Sequence, residues 1–402
     1  MQNKQVTFVI KLMKGGGAER VISLLSSALV EHGYTVNVIL THQKLQDAQI
    51  QALNPTRVSV TSLIDIKSKN YYSRIIAKIL FFYARLVIKI GKIMCKRESQ
   101  HGLIVKYWAR NYEKISQLTK ILSAYKNNVV IAFLNDSIFY TLLATRHIDK
   151  LIISERNDPE KFLENKTTMA FIQKKYSLSK YMVFQSPDAA QWYSRRINVN
   201  GKVIFNPVKP DLPMPYTGIR QQIIVNFCRI SSQKNLVMLV SAFVLLHREY
   251  SDYKLYIYGN PDNGSADDYY RSLQQHIAQS GCSTHIHLLP ARDDIHEVIR
   301  DYAMFVSSSD YEGMSNSMLE AMALGLPVVC TDCPAGGARA IIEDHVNGLL
   351  VPVGDAEALY KAMKELIDNP ELAAKISSNA TAIRDTLSVD KITDQWLELI
   401  HG

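Results

Sequence analysis

Arg229 and Lys234 stand in the stretch Cys228-Arg229-Ile230-Ser231-Ser232-Gln233-Lys234-Asn235, directly after the apolar run 223–227 and just before an apolar helical pattern. Cations at the start of a helix oppose its dipole, so a pair of them there calls for another purpose. A bound pyrophosphate supplies one, because a guanidinium is a planar fork for phosphate oxygens and an ammonium is a compact point charge. Solvated surface charge is the other reading of these two side chains.

A second group follows in Tyr311-Glu312-Gly313-Met314-Ser315-Asn316-Ser317, which leads into a helical pattern carrying Glu320. Direct general acid and base work suits these carboxylates poorly, since anions beside a diphosphate repel it. They suit hydroxyl groups better: Glu320 can accept from both hydroxyls of a ribose, and Glu312 can face a sugar. The backbone N–H groups from Gly313 through Met314, Ser315 and Asn316 can turn toward phosphate and hydroxyl oxygens. Dipole complementarity is the plainer reading of a glutamate in a helix's first turns. Near the start of the chain, Gly15-Gly16-Gly17 lies between a strand pattern and a helix pattern, where missing side chains let N–H groups approach an anion. The run is neither G-x-G-x-x-G nor a Walker loop, so it indicates neither NAD nor ATP, and a tight turn reads equally well.

These residues must be held by something, and the apolar periodicity says what. Strand patterns at 6–12 and 36–40 enclose a helix pattern that Gly33 stops, giving a βαβ opening. Further strands are expected at 129–134, 151–154 and 181–184, and a proline-rich linker at 204–215. A second alternation runs through strands at 223–227, 253–258, 285–289, 304–307 and 327–330, with helices at 235–250, from 267 and from 355 onward. Short apolar strands alternating with helices predict α/β architecture with parallel sheets, whose ligands gather at the carboxyl ends of the strands. The expected organisation is an N-terminal domain over 1–208, a second over 209–380, and a helix over 381–402, near Trp396, crossing back to the first.

Length and composition agree with two domains: 402 residues, 47% hydrophobic, can bury two cores. No run of eighteen apolar residues occurs, and the charged start lacks a signal-peptide pattern, so the reading is a cytoplasmic protein. Five scattered cysteines fit a reducing compartment, and Cys330-Thr331-Asp332-Cys333 has redox spacing without the second pair or histidine cluster a zinc site needs. The net charge of +8 is local: residues 67–126 hold fourteen Lys and Arg against Glu98 and Glu113, a charge of +12 that leaves about −4 for the remainder. In that segment Ile75, Ile76, Ile79, Phe82, Leu86 and Ile90 mingle with Arg74, Lys78, Arg85, Lys89 and Lys92. Such a basic amphipathic helix fits an anionic membrane surface, each cation contributing roughly 1 kcal/mol; an ordinary domain helix with a basic face is the other reading.

Taken together, the three motifs resemble the retaining glycosyltransferase family 4, through residues 15–21, Arg229 with Gln233-Lys234-Asn235, Glu312 through Glu320, the run 321–329 and Asn347-Gly348-Leu349-Leu350-Val351. The resemblance covers most of the chain and is weakest between 41 and 127. It implies the GT-B fold, two Rossmann-like domains facing each other across a cleft. It also implies that Arg229, Lys234 and Glu312 carry catalysis, and that Gly16, Gly17, Gly259, Gly313, Met314, Ser315, Asn316 and Glu320 join Arg229 and Lys234 in binding the donor. Front-face substitution with retained configuration is implied, the leaving phosphate helping to take the acceptor's proton. No D-x-D triplet occurs, so no metal or cofactor is expected beside the UDP-sugar donor, and the two cations would neutralise the departing phosphate. Relatives that extend lipid-linked bacterial glycans often place a histidine where this sequence has Arg156, so Glu155, Arg156 and Asn157 are candidates for sugar or acceptor contacts, with a plain loop as the alternative.

The expected partners are a nucleotide-sugar donor, a lipid-linked saccharide acceptor and, through 67–126, the inner face of the cytoplasmic membrane. Two other classes share part of this pattern. A GT-B epimerase or phosphorylase would share the donor motifs, but an epimerase turns over a UDP-sugar without acceptor. A nucleic-acid-binding protein would use the basic segment, yet no recognised binding motif or aromatic stacking platform accompanies it.

Overall fold

A computed structural model of the chain describes residues 4–14, 16–47, 57–66, 71–95, 98–124, 128–145, 148–162, 165–261 and 266–402. The chain divides into two compact units, the first made of residues 1–205 and 392–402, the second of residues 206–391. The segment 381–391, expected to travel with the returning helix, belongs to the second unit.

Unit 1 is built on seven strands: β1 (Gln5–Ile10), β2 (Thr35–Leu40), β3 (Val58–Ser62), β4 (Val129–Phe133), β5 (Leu151–Ser154), β6 (Tyr181–Phe184) and β7 (Gly201–Val203). Their order across the sheet is β3-β2-β1-β4-β5-β6-β7, and every pairing is parallel. Helices cover both faces, so the central strands are apolar on both sides: all but the first residue of β1 and of β4 are buried. The β1 and β2 strands pair from Gln5 with Thr35 to Ile10 with Leu40, and the helix Gly17–Glu31 forms the crossover between them.

Unit 2 repeats the plan with β8 (Gln221–Phe227), β9 (Lys254–Tyr258), β10 (Ile286–Leu289), β11 (Tyr302–Ser307), β12 (Val328–Thr331) and β13 (Leu349–Val351), in the order β10-β9-β8-β11-β12-β13, again all parallel. Its core joins Ile224, Phe243, Leu255, Ile257, Val306 and Met363, each with no exposed surface. In both sheets β8 or β1 stands inside and the order reverses beside it, which places the loops after these strands where ligands of open α/β sheets bind.

The basic segment folds as three helices, Tyr71–Cys95, Gln100–Arg110 and Tyr112–Ala124. Ser99 caps the second by accepting from the Gly102 N–H at 3.2 Å. Gly102 is a point of close approach to the first helix, since a Cβ there would lie 2.6 Å from Cγ1 of Ile88. Residues 67–70, the start of the segment, lie outside the described residues.

At the carboxyl end of β5, Glu155 and Arg156 turn into unit 1. The Tyr176 hydroxyl donates to Oε1 of Glu155 at 2.6 Å, while Oε2 is buried with no hydrogen-bond partner among the described residues. Arg156 donates from Nε to Ser154 Oγ at 2.8 Å and lays its guanidinium 4.8 Å from the Phe133 ring centre and 5.9 Å from that of Trp396. Phe133 and Trp396 themselves stack at 5.9 Å, so the last helix, Val389–His401, is pinned to the end of β4 through an aromatic and guanidinium cluster.

Burial pushes the Glu155 carboxyl up to about 7, with the Tyr176 hydrogen bond acting in the opposite direction. The folded chain therefore holds a proton that the unfolded chain has already released. Stability from neutral Glu155 is fully present below the ordinary carboxylate value and is lost as pH rises toward the folded value. Glu155→Gln should flatten the fall in unfolding free energy between about pH 5 and about pH 7, by up to about 1.4 kcal/mol per pH unit. Urea denaturation at stepped pH reads this directly, and an unaltered slope contradicts it.

Candidate functional site

The residues of unit 2 converge where β8, β11 and β12 end. After Phe227 the chain leaves β8 through Cys228 and exposed Arg229, makes a short 3-10 turn at Ser232–Lys234, and enters the helix Leu236–His247 at Asn235. Asn235 sits in the left-handed region at φ 41° and accepts from the Met238 N–H at 3.2 Å, a conformation and a capping bond for which a short amide side chain is suited. Its Nδ2 donates to Oδ1 of Asp310 at 2.7 Å, in the loop after β11. The two loops are sewn together further by Gln233 Nε2 donating to the Tyr311 carbonyl at 2.9 Å, by the Asp310 N–H donating to the Gln233 carbonyl at 2.9 Å and by Ser308 Oγ donating to the Lys234 carbonyl at 2.9 Å.

That stitching sets Lys234 against Glu312. The Lys234 ammonium forms an ion pair with Oε2 of Glu312, the two side chains being 12% and 22% exposed, and Ser309 Oγ donates to the same oxygen at 3.4 Å. Burial works against the ammonium, but the Glu312 charge outweighs it and raises Lys234 above its usual range. Lys234 is thus a fixed positive charge through neutral pH, mostly shielded from water, 78 positions from its partner in the chain.

Two glycines make this geometry sterically possible. A Cβ on Gly259, at the end of β9, would lie 1.9 Å from the Cys228 carbonyl oxygen, so only glycine lets β9 pass the residue that precedes Arg229. A Cβ on Gly337, in the loop after β12, would lie 1.5 Å from the Gly313 carbonyl oxygen, so the 334–337 loop buttresses the turn that follows Glu312. Gly337 was not among the expected residues; the doublet Gly336-Gly337 after an apolar strand was the signal available.

Beyond Gly313 the chain passes buried Met314 and enters the helix Asn316–Ala323, capped by Ser315 Oγ accepting from the Met318 N–H at 3.3 Å. Asn316 accepts from Asn206 Nδ2 at 2.7 Å, and Met314 Sδ receives the Asn206 N–H at 3.5 Å, so the start of unit 2 is tied to this turn. Glu320 is buried, and its Oε2 lies 2.8 Å from Nε2 of His296. His296 was also missed from the sequence, because nothing in the spacing of the 292–300 segment points to residue 320.

The cysteines near this site are not poised for chemistry. Burial pushes Cys228 up to about 12 and Cys330 well above its usual range, and the Cys333 thiol donates to the Ser309 carbonyl at 3.2 Å. Cys330 and Cys333 are both buried and form no disulfide with each other.

In unit 1 the expected residues find different surroundings. Gly15 lies outside the described residues. Gly16 caps the helix Gly17–Glu31, and the anion at this helix start is the chain's own: Glu19 Oε2 accepts from the Gly16 N–H at 2.7 Å and from the Lys14 N–H. Two backbone N–H groups at the turn expected to meet a bound anion are thus taken by a carboxylate from within the helix. Glu155 and Arg156 are packed inside unit 1 as described above, and Asn157 alone of that trio is exposed.

With the geometry established, comparison with known proteins places it. Residues 218–382 match the family model described as Glycosyl transferases group 1. The poly(ribitol-phosphate) alpha-N-acetylglucosaminyltransferase of Staphylococcus aureus is 28% identical over 183 residues, 45% of this chain and 36% of that protein. The Campylobacter jejuni enzyme GalNAc-alpha-(1->4)-GalNAc-alpha-(1->3)-diNAcBac-PP-undecaprenol alpha-1,4-N-acetyl-D-galactosaminyltransferase is 20% identical over 399 residues, 98% of each chain. The chain spans about half the length, or less, of several other curated relatives that it matches. The crystal structure of a S. aureus TarM variant in complex with Fondaparinux, alpha-GlcNAc-glycerol and UDP is similar at a TM-score of 0.73 and 15% identity, covering 99% of this chain and 100% of that one. The two parallel sheets thus carry the GT-B fold, and residues 218–382 within it match the glycosyl transferases group 1 model.

Proposed function

We propose that this chain is a retaining, metal-independent glycosyltransferase that moves a hexose or N-acetylhexosamine from a UDP-sugar to a lipid-linked saccharide in bacterial polysaccharide or lipopolysaccharide biosynthesis. The observation that carries the reading is the convergence of Arg229, Lys234, Glu312 and Glu320 at the carboxyl edge of one parallel sheet, where ligands of such sheets bind. UDP is favoured as the leaving group because it is the nucleotide bound in the similar TarM structure. A lipid-linked acceptor is favoured because the relative matched over nearly the whole chain acts on an undecaprenol-linked saccharide by its name.

In this reading Arg229 and Lys234 hold the diphosphate, and Glu320 accepts from the ribose hydroxyls. The bond from the anomeric carbon to the phosphate oxygen breaks as the acceptor oxygen bonds to the same face of that carbon, and the departing phosphate takes the acceptor's proton. Negative charge grows on the phosphate, so preorganised cations lower the barrier without a protein nucleophile. Lys234 reaches the diphosphate by exchanging part of its interaction with Glu312, which then accepts from the donor sugar.

The helix Tyr71–Cys95 supports a peripheral membrane site on the cytoplasmic face. Among the described residues no helix is long and apolar enough to cross a membrane. Instead Phe82, Ile93 and Met94 are 73%, 71% and 78% exposed, on a helix that also exposes Lys78, Arg85, Lys89 and Lys92. Apolar side chains entering the headgroup region beside cations facing anionic lipid suit this surface.

UDP in excess of a hundred times its dissociation constant should raise unfolding free energy by about 2.7 kcal/mol, read as a thermal shift that persists in EDTA. Absence of a shift, or a shift that requires magnesium, contradicts the donor assignment. In turnover assays Lys234→Ala should lower kcat by about a hundredfold or more with a smaller change in UDP affinity, and Glu320→Ala should weaken UDP by roughly tenfold or more, as expected for a lost charge-assisted hydrogen bond. Vesicles containing phosphatidylglycerol should sediment the protein at low salt and release it at high salt. Equal sedimentation with neutral vesicles argues against the basic face.

A further inference from the structure

His296 lies on the helix Ile295–Ile299, between the buried side chains of Ile295 and Ile299, and is itself buried. Its Nε2 is 2.8 Å from Oε2 of Glu320, with the two side chains 10% and 4% exposed. A carboxylate only accepts, so Nε2 carries the proton and donates. The ring is held from behind by Phe227, whose edge meets it at 6.1 Å and 88°, and Phe227 rests in turn on Phe305 at 5.3 Å. Phe227 is the last residue of β8, two positions before Arg229, so one imidazole links the strand that delivers the diphosphate loop to the helix that carries Glu320.

A hydroxyl acceptor has to be fixed in direction as well as in place. Glu320 has rotatable side-chain bonds and a carboxylate plane that can turn, and its burial makes an uncompensated charge costly. A neighbouring donor that takes one oxygen fixes the plane and compensates the charge together, which is the role a second hydrogen bond plays behind many functional groups.

We propose that His296 is a positioning residue for nucleoside recognition: by donating from Nε2 to Oε2 it holds the Glu320 carboxylate in the orientation that accepts from a ribose hydroxyl, and so sets the preference for a ribonucleotide over a 2′-deoxyribonucleotide. The inference rests on the assignment of Glu320 to the ribose. His296 touches neither donor nor acceptor in this account and acts through Glu320 alone.

The test compares UDP with 2′-deoxy-UDP by calorimetric titration on the full chain. Wild type should prefer UDP by about tenfold or more, the effect of one lost hydrogen bond to a buried charge. His296→Phe keeps an aromatic ring against Phe227 but removes the donor, and should reduce the preference to less than about twofold, mainly by weakening UDP. His296→Gln, whose amide nitrogen can reach the same oxygen, should restore most of it. His296→Asn, with an amide too short to reach, replaces the Phe variant should that one fail to fold. A purely structural histidine would weaken both nucleotides equally and leave their ratio as in wild type, and that result overturns the proposal. If wild type binds UDP without distinguishing it from the deoxy form, the ribose assignment of Glu320 fails and the role of His296 fails with it. If wild type distinguishes them and His296→Phe does so equally well, the Glu320 assignment stands and only the role of His296 is lost.

Discussion

The site of unit 2 depends on one partly buried ion pair. Lys234 and Glu312 come from loops after different strands, and each would be an expensive buried charge without the other. Their meeting is imposed by the hydrogen bonds from Asn235 to Asp310, from Gln233 to Tyr311 and from Ser308 to the Lys234 carbonyl. Those bonds in turn need Asn235 in its left-handed conformation and the unhindered passage of Gly259 past Cys228. A pair assembled this way is a preorganised charge. On the proposed function it gains a second use when a diphosphate arrives, because the ammonium would then sit between two anions held by the same backbone.

How much of this was legible in the sequence follows from where each residue gets its neighbours. Strands near the middle of each sheet, such as β1, β4 and β8, are buried over most of their length, and their largely apolar runs announce them. The strands that went unread, β3, β7 and β13, are three of the four outer ones, of five, three and three residues, and half-covered strands this short leave little pattern. The basic segment read as one amphipathic helix because its apolar period continues, whereas the caps at Ser99 and at Asn111 are local events.

Site residues divide in the same way. Arg229 and Lys234 stood out because cations oppose the dipole of a helix start, and Glu312 and Glu320 because two carboxylates framing the Gly313 turn suit hydroxyl groups. His296 and Gly337 are ordinary where they stand and acquire meaning only through tertiary partners, Glu320 and Gly313, each 24 positions away along the chain. Glu19 is an intermediate case. The spacing from Gly16 to Glu19 puts a carboxylate at the third helical position, where it can reach back to the N-cap N–H, so the anion at the first helix start could have been read as internal. Glu155 and Arg156 looked like loop polar residues, but the aromatic surroundings of Tyr176, Phe133 and Trp396 draw both into the unit.

The central claim is that the Lys234 and Glu312 pair, with Arg229 and Glu320 beside it, is a nucleoside diphosphate site. A crystal structure of the chain with UDP tests it most directly. The account predicts the diphosphate within hydrogen-bond distance of Arg229 and Lys234 and the ribose hydroxyls on Glu320, with His296 still bonded to Oε2. UDP bound elsewhere, or bound with Lys234 and Glu320 both out of reach, would contradict it.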